Sequence, residues 1–150
     1  MFFRPACILA FAMVAIAANG AECRLDQAHY VEPVSGATMQ FHPKGADEAA
    51  QTMAVFDVAL PNVTGTYAGD ITWNAGNNAR PDPAIEGLLQ VSNAYAIDGG
   101  AVGLIDDVDM AAPSSILLAD FGRALHGFGA FIEANPDTWS FDVFTLTGCP

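Results

Sequence analysis

WSFDVFTLT, residues 139–147, is the most regularly alternating stretch of the sequence. Trp139, Phe141 and Val143 occupy one set of alternate positions, and Phe144 falls in the other set. Because successive side chains of a β-strand point to opposite faces, this spacing predicts a strand over residues 139–147. The end of the chain is therefore expected to belong to a β-sheet.

Short apolar runs separated by turn residues continue this pattern through the rest of the chain. We predict further strands at 54–60, 64–73, 88–97 and 101–105. Asp98-Gly99-Gly100 is expected to join the last two in a hairpin, and Arg80-Pro81-Asp82-Pro83 is expected to be a turn. The sequence therefore predicts a mainly β domain, either a small antiparallel sandwich or a partly open barrel.

One segment, residues 115–127, shows helical spacing instead. Leu117, Phe121, Leu125 and Phe128 recur at intervals of three or four residues, which predicts a helix with one apolar face. Gly122 inside that helix costs about 1 kcal/mol relative to alanine, and a strand at 116–119 is the competing interpretation. Because of this helix, α+β is the alternative fold class.

The N-terminus has the features of a removable secretory signal. Arg4 provides an early positive charge, residues 6–18 form an unbroken apolar run, and small residues precede Glu22. This run has 13 residues, fewer than the roughly 20 that span a bilayer as a helix. We therefore predict a leader over residues 1–21, no stable membrane insertion after its removal, and a single acidic globular domain over residues 22–150.

Composition indicates where such a protein resides. The chain is rich in alanine and aspartate and uses arginine more than lysine, a bias that genomes rich in G and C tend to encode. Together with the predicted leader, this bias indicates an exported bacterial protein, either periplasmic or extracellular.

Two cysteines remain once the leader is removed, Cys23 and Cys149, at opposite ends of the expected domain. In an oxidising compartment an even pair favours a disulfide. For a loop of about 125 residues, the chain-entropy model gives a stabilisation of roughly 4–5 kcal/mol. Zinc is a poor alternative, because a structural zinc site needs four closely spaced ligands.

The charge balance is strongly acidic. The full chain has five basic and seventeen acidic residues, and loss of Arg4 with the leader leaves a formal net charge of −13. Such a surface repels phosphate backbones and anionic lipid surfaces. The charge therefore argues against nucleic acid and membranes as partners. It is compatible with a basic partner protein, and solubility alone is the favoured interpretation.

Trp73, Asn74 and Arg80 form the candidate ligand site. They flank an asparagine-rich turn. Aromatic rings pack on the apolar faces of sugars, and amide and guanidinium groups supply hydrogen bonds. A core tryptophan followed by a plain turn is the favoured interpretation, and the alternative is a binding site for a small molecule, a glycan or a basic partner protein.

Asp106, Asp107 and Asp109 place three carboxylates within four residues. Calcium prefers oxygen ligands and tolerates irregular loops, but this segment lacks the glycine and the terminal glutamate of an EF-hand. A solvated acidic loop is the favoured interpretation, and we expect no metal and no cofactor.

No catalytic residue can be assigned from the sequence. The three histidines, His29, His42 and His126, have no neighbouring motif for a nucleophile or a metal. We therefore expect a non-enzymatic binding or accessory protein. The alternative is a small periplasmic hydrolase with catalytic residues on separate loops, which a cleft with a buried histidine–carboxylate pair would favour.

Overall fold

Antiparallel strands make up most of the molecule. A computed structural model describes residues 23–74, 80–88, 91–107 and 109–150. Within these residues it contains nine strands, two short α-helices and one 3-10 turn at Leu25–Gln27. The elements are β1 (His29–Val31), β2 (Thr38–His42), β3 (Thr52–Ala59), β4 (Thr66–Asn74), β5 (Arg80–Ile85), β6 (Ala94–Asp98), β7 (Ala101–Leu104), β8 (Ser115–Leu118), α1 (Phe121–His126), α2 (Gly129–Ala134) and β9 (Val143–Gly148).

All nine strands belong to one sheet with the order β5-β4-β3-β2-β1-β9-β8-β6-β7. The sheet is nearly closed into a barrel, and β5 at one end of this order approaches β6 near the other end. The mainly β prediction is therefore confirmed, and the sheet corresponds to the partly open barrel. No helix in the described part of the chain is long and apolar enough to cross a membrane.

Alternating burial along the strands creates the core. Every second residue of β3, from Thr52 to Val58, is buried, and the residues between them are partly exposed. The rings of Tyr30, Phe41 and Phe56 meet inside the barrel at centroid distances of 5.7 and 5.3 Å. The largest fully buried side chains are Tyr30, Phe41, Phe56, Phe121, Phe131, Phe144, Leu25, Met39, Ile71, Ile105, Ile116 and Leu118.

The predicted helix over residues 115–127 is wrong in its first half. Residues 115–118 form β8, which pairs with β6 on one side and β9 on the other, so the competing strand interpretation is correct there. Ile116 and Leu118 alternate into the core, and burial between two strands outweighs the helical spacing. Asp120 adopts a left-handed conformation (φ 68°) and ends the extended run, so that α1 begins only at Phe121.

Three further sequence predictions are corrected by the strand boundaries. The strand predicted over residues 139–147 begins only at Val143, so Trp139 and Phe141 precede it. Residues 80–83 are not a turn but the start of β5, an edge strand on which Pro81 and Pro83 face the core. Proline is tolerated on an edge strand because its missing N–H can lie on the unpaired side. The strand predicted at 88–97 begins only at Ala94, and its residues 89–90 lie outside the described part.

The predicted hairpin at residues 98–100 is confirmed. Asp98 pairs with Ala101, and Ile97 pairs with Val102. Gly99 and Gly100 both have positive φ, 54° and 84°, as a two-residue turn between twisted strands requires. The short strand β7 therefore lies directly beside β6 at the edge of the sheet.

The two ends of the described chain meet beside the central pair of strands. Cys23 and Cys149 lie at disulfide distance, with Cα atoms 5.7 Å apart, and are separated by 126 positions in sequence. Nearby, β1 pairs with β9. The cysteine pair therefore joins the same two chain ends that the sheet brings together.

Candidate functional site

The outward face of the sheet changes character between its two halves. On the half formed by β2 to β5, outward positions carry polar groups such as His42, Asp57 and Asp70. On the half formed by β9, β8 and β6, the buried residues face inward and the outward positions include Val143, Leu117 and Tyr95, while all four residues of the adjoining β7 are exposed. This second half is the unusual one, because a soluble protein rarely exposes apolar side chains in a contiguous patch.

Register places these side chains in cross-strand rows. Val143 of β9 pairs with Leu117 of β8, and Leu117 pairs in turn with Tyr95 of β6. Tyr95 pairs on its other side with Leu104 of β7. Directly opposed residues of adjacent strands point to the same face, so these four side chains are neighbours. We call the outward surface that they form with the adjoining Ile97–Val102 pair the apolar face: Tyr95, Ile97, Val102, Leu104, Leu117 and Val143.

An aromatic segment immediately before the start of β9 extends the apolar face. Trp139 is 66% exposed and Phe141 is 59% exposed, although large aromatic side chains are usually among the most buried. Together with Leu117, Arg123 and His126 they line an open groove of about 580 Å³. We call this groove, between α1 and residues 139–143, the aromatic groove.

The exposed aromatic residues alternate with residues that are anchored. The Ser140 hydroxyl donates to the carboxylate of Glu32 at 3.2 Å. The Asp142 carboxylate accepts hydrogen bonds from the backbone N–H groups of Asp120 at 3.1 Å and Gly122 at 2.8 Å. Because Ser140 and Asp142 point to the protein, the alternate residues Trp139 and Phe141 are directed to solvent.

Glu32 is the deepest part of this anchor. Its side chain is fully buried and accepts four hydrogen bonds, from the N–H groups of Val34 and Ser35 and from the hydroxyls of Ser35 and Ser140. Burial raises the pKa of Glu32, but these hydrogen bonds together lower it further, so the pKa lies below its usual range. The carboxylate is therefore charged and fixes the segment at neutral pH.

Helix α1 packs directly against residues 139–142. A Cβ at Gly122 would lie 2.3 Å from the carbonyl oxygen of Ser140, so only glycine permits this approach. The contact brings His126 onto Trp139, with ring centroids 4.5 Å apart. Arg123, at the same side, is paired with Asp120 at 3.2 Å.

Asp120 is held in its unusual backbone conformation by its side chain. The hydroxyl of Ser92 donates to its carboxylate, which lowers the pKa of Asp120, and Arg123 lowers it further while burial acts in the opposite direction. The start of α1 is therefore fixed from both sides, by Asp142 and by Ser92.

The candidate ligand residues from the sequence are only partly brought together. Asn74 and Arg80 pair across β4 and β5, and both contact the carboxylate of Asp82, at 2.7 and 3.7 Å respectively. Trp73 is half-buried and pairs with the buried Pro81 on the other face. The turn between them, residues 75–79, lies outside the described part, and the ligand site remains a prediction.

The acidic loop is engaged by neighbouring groups. Asp109 forms an ion pair with Arg24, which also binds Asp26 at 2.9 Å, and the Asp107 side chain accepts the backbone N–H of Asp109. Asp106 is exposed. Among the described residues, no group of three or more His, Cys, Asp or Glu side chains could hold a metal ion.

A histidine–carboxylate pair lies on the acidic half of the sheet. His42 Nε2 is 2.9 Å from Asp57 Oδ2, and both side chains are more than 40% exposed. They line a concavity of about 490 Å³ with Glu48, Asp70 and Glu86, and its described lining contains no serine, threonine or cysteine. Burial raises the pKa of Asp70, and Glu48 adds to the increase.

The comparisons with known proteins give no guide to this site. No protein-family model matches the chain, and neither the curated proteins nor the solved structures contain a match.

Sequence reasoning missed the aromatic groove, although it found the alternation that creates it. The pattern at 139–147 separates Trp139 and Phe141 from Ser140 and Asp142, but it does not tell which set faces the core. The deciding partner, Glu32, lies 108 residues from Ser140. No local signal connects them.

Proposed function

We propose that this protein is an exported, non-enzymatic binding or accessory protein that binds a partner protein through the aromatic groove and the apolar face. One observation carries the proposal: Ser140 and Asp142 are anchored, while Trp139 and Phe141 between them face solvent. Aromatic anchors on a rigid backbone supply large contact area and lose little entropy on binding. Such residues are typical of the energetic centre of an interface.

The groove favours a protein over a glycan or a small molecule. Its exposed lining is mainly apolar, and the oxygen atoms of Ser140 and Asp142 already accept or donate hydrogen bonds inside the protein. A sugar needs several free polar groups around an aromatic ring, whereas a small molecule needs a cavity that covers most of its surface. An open apolar groove that continues onto a sheet face fits neither requirement and suits an extended protein surface.

Export is supported by two independent features. The Cys23–Cys149 pair is at disulfide distance, and disulfides persist in oxidising compartments. The leader predicted over residues 1–21 supplies the route. The proposed site of action is therefore the periplasm or the extracellular space.

The test compares Trp139→Ser plus Phe141→Ser with the control Ile132→Ala, which alters an exposed apolar residue outside the groove. Each protein is used to capture partners from a native extract, and the captured partner is then purified and its Kd measured. Relative to wild type, we expect the double substitution to raise Kd at least about tenfold, which corresponds to about 1.4 kcal/mol. We expect the control substitution to leave Kd unchanged. A partner that binds all three proteins equally would refute the proposal.

A small hydrolase is the second candidate, and the acidic concavity favours it. Asp70, with its raised pKa, lies beside Asp57 and Glu48, and carboxylates of different pKa can serve as acid and base. The accompanying histidine is exposed, which is the reverse of the buried pair expected for a triad. Hydrolysis of a polysaccharide that is lost in Asp70→Asn, but retained in the Trp139→Ser plus Phe141→Ser variant, would establish this candidate instead.

A further inference from the structure

The two edges of the sheet are protected differently. The edge strand β5 contains Pro81 and Pro83 and approaches β6, and prolines on an edge discourage pairing with another chain. The opposite edge strand, β7, contains no proline, lysine or bulge, and all four of its residues are exposed. Within the described residues, its backbone pairs with β6 alone.

Apolar surface lies on both sides of this unprotected edge. On the outward side, Val102 is 65% exposed and Leu104 is 44% exposed, and both belong to the apolar face. On the other side, β7 and residues 110–113 line a groove of about 350 Å³. A strand that paired with β7 would place alternate side chains on these two surfaces.

Carboxylates stand at both ends of β7. Asp98 precedes the strand across the hairpin turn, and Asp106 and Asp107 follow it; all three are exposed. A chain lying along β7 would therefore meet negative charge near both of its ends. Lysine or arginine residues at those positions would be stabilised.

A second copy of this protein is a poor occupant for the same reason. If β7 paired with itself about a two-fold axis, Ala101 would lie opposite Leu104, and the end of the hairpin that carries Asp98 would approach Asp106 and Asp107 of the other copy. Like charges brought together at an interface oppose association. Each copy would also carry a formal net charge of −12, or −13 without the predicted leader, and this charge disfavours self-association.

We propose that β7 is a strand-addition site for an extended segment of the partner, in which apolar residues alternate and basic residues flank them. Main-chain hydrogen bonds to the free edge supply affinity, and side-chain contacts on the two surfaces supply specificity. The inference rests on the proposed function, because it names how the partner is held at the far side of the same apolar face.

The experiment selects binders from a random-peptide display library on the mature protein and measures their Kd as synthetic peptides. We expect the enriched sequences to alternate apolar residues between lysines or arginines. Leu104→Lys places a charge on the edge strand, and Ala130→Lys adds the same charge at an exposed position of α2 as its control. We expect the first to raise Kd at least about tenfold and the second less than about twofold.

A second comparison keeps the protein unchanged and alters the peptide. Methylation of the peptide's alternate backbone nitrogens that face β7 removes the hydrogen bonds of the added strand, and we expect it to raise Kd at least about tenfold. The proposal is overturned if no peptide is enriched, if methylation or Leu104→Lys has no effect, or if the enriched peptides are acidic. Dimerisation of the protein that Leu104→Lys abolishes would also overturn it in favour of a second copy.

The failure of this inference can be told apart from failure of the proposed function. If the natural partner requires Trp139 and Phe141 but binds Leu104→Lys normally, strand addition is wrong and the aromatic groove stands. If the natural partner requires β7 but binds Trp139→Ser plus Phe141→Ser normally, strand addition stands and the groove is not part of the site.

Discussion

Replacement of Glu32 by glutamine tests whether the buried carboxylate anchors the aromatic segment. The glutamine side chain has nearly the same shape, but one oxygen becomes an amide that donates hydrogen bonds. All four partners of Glu32 also donate, from Val34, Ser35 and Ser140, so at least one bond is replaced by two opposed donors. Since a hydrogen bond to a charged group contributes about 1.5–3 kcal/mol, we expect Glu32→Gln to lower the free energy of unfolding by about 2–3 kcal/mol.

The assay is urea unfolding followed by tryptophan fluorescence at a series of pH values. Because the pKa of Glu32 is lowered in the folded protein, its stabilisation is present above the unfolded pKa of about 4.3 and is lost as pH falls through the folded pKa. The difference between wild type and Glu32→Gln should therefore be constant near neutral pH and shrink below about pH 4. Glu133→Gln, at an exposed position of α2, is the control and should change stability by less than about 0.5 kcal/mol. A Glu32→Gln protein as stable as wild type at pH 7, or a difference in unfolding free energy that is undiminished at pH 3, would contradict the anchoring role of Glu32.

Three other predictions follow from the fold and the leader. Gly122→Ala should destabilise the protein by about 1–3 kcal/mol in thermal unfolding, because the added methyl meets the carbonyl oxygen of Ser140. Gly129→Ala, where nothing lies within 4 Å, should be neutral or slightly stabilising; equal losses would contradict this account. Cys23→Ser should lower the unfolding free energy by up to roughly 4–5 kcal/mol, and wild-type protein should show no thiol on alkylation after denaturation, so a titratable pair would contradict the bridge. Intact mass of the secreted protein should place its first residue within residues 18–22, and recovery of the full-length chain from membranes would contradict export.

Local alternation was sufficient to predict the fold class but not the order of the strands. The hairpin at Asp98 could be predicted because its turn residues and both strands are adjacent in sequence. Strand β5 could not, because prolines indicate a turn unless the strand is known to lie at an edge. Residues 115–118 combine helical spacing with strand alternation, and only pairing with β6 and β9 decides between them.

The candidate site was harder to predict than the fold for a physical reason. Hydrophobicity assigns Trp139 and Phe141 to a core, since large aromatic residues gain the most from burial. Their exposure depends on the inward set, Ser140 and Asp142, which bind Glu32 and the start of α1. Hydrogen bonds between distant segments therefore turn Ser140 and Asp142 inward and leave Trp139 and Phe141 exposed, the opposite of what hydrophobicity alone predicts.

The central position of the β1–β9 pair has a consequence for the order in which this protein assembles. Strands β1 to β5 each pair with their sequence neighbours, so a meander can form as soon as those residues have been synthesised. Among the described strands, the remaining half joins β1 through β9, which follows all the others in the chain. Pairing across such a separation is slow, because the whole intervening chain must be closed into a loop first. Until β9 pairs with it, β1 is itself an unpaired edge, and the newly formed meander is open to pairing with another chain.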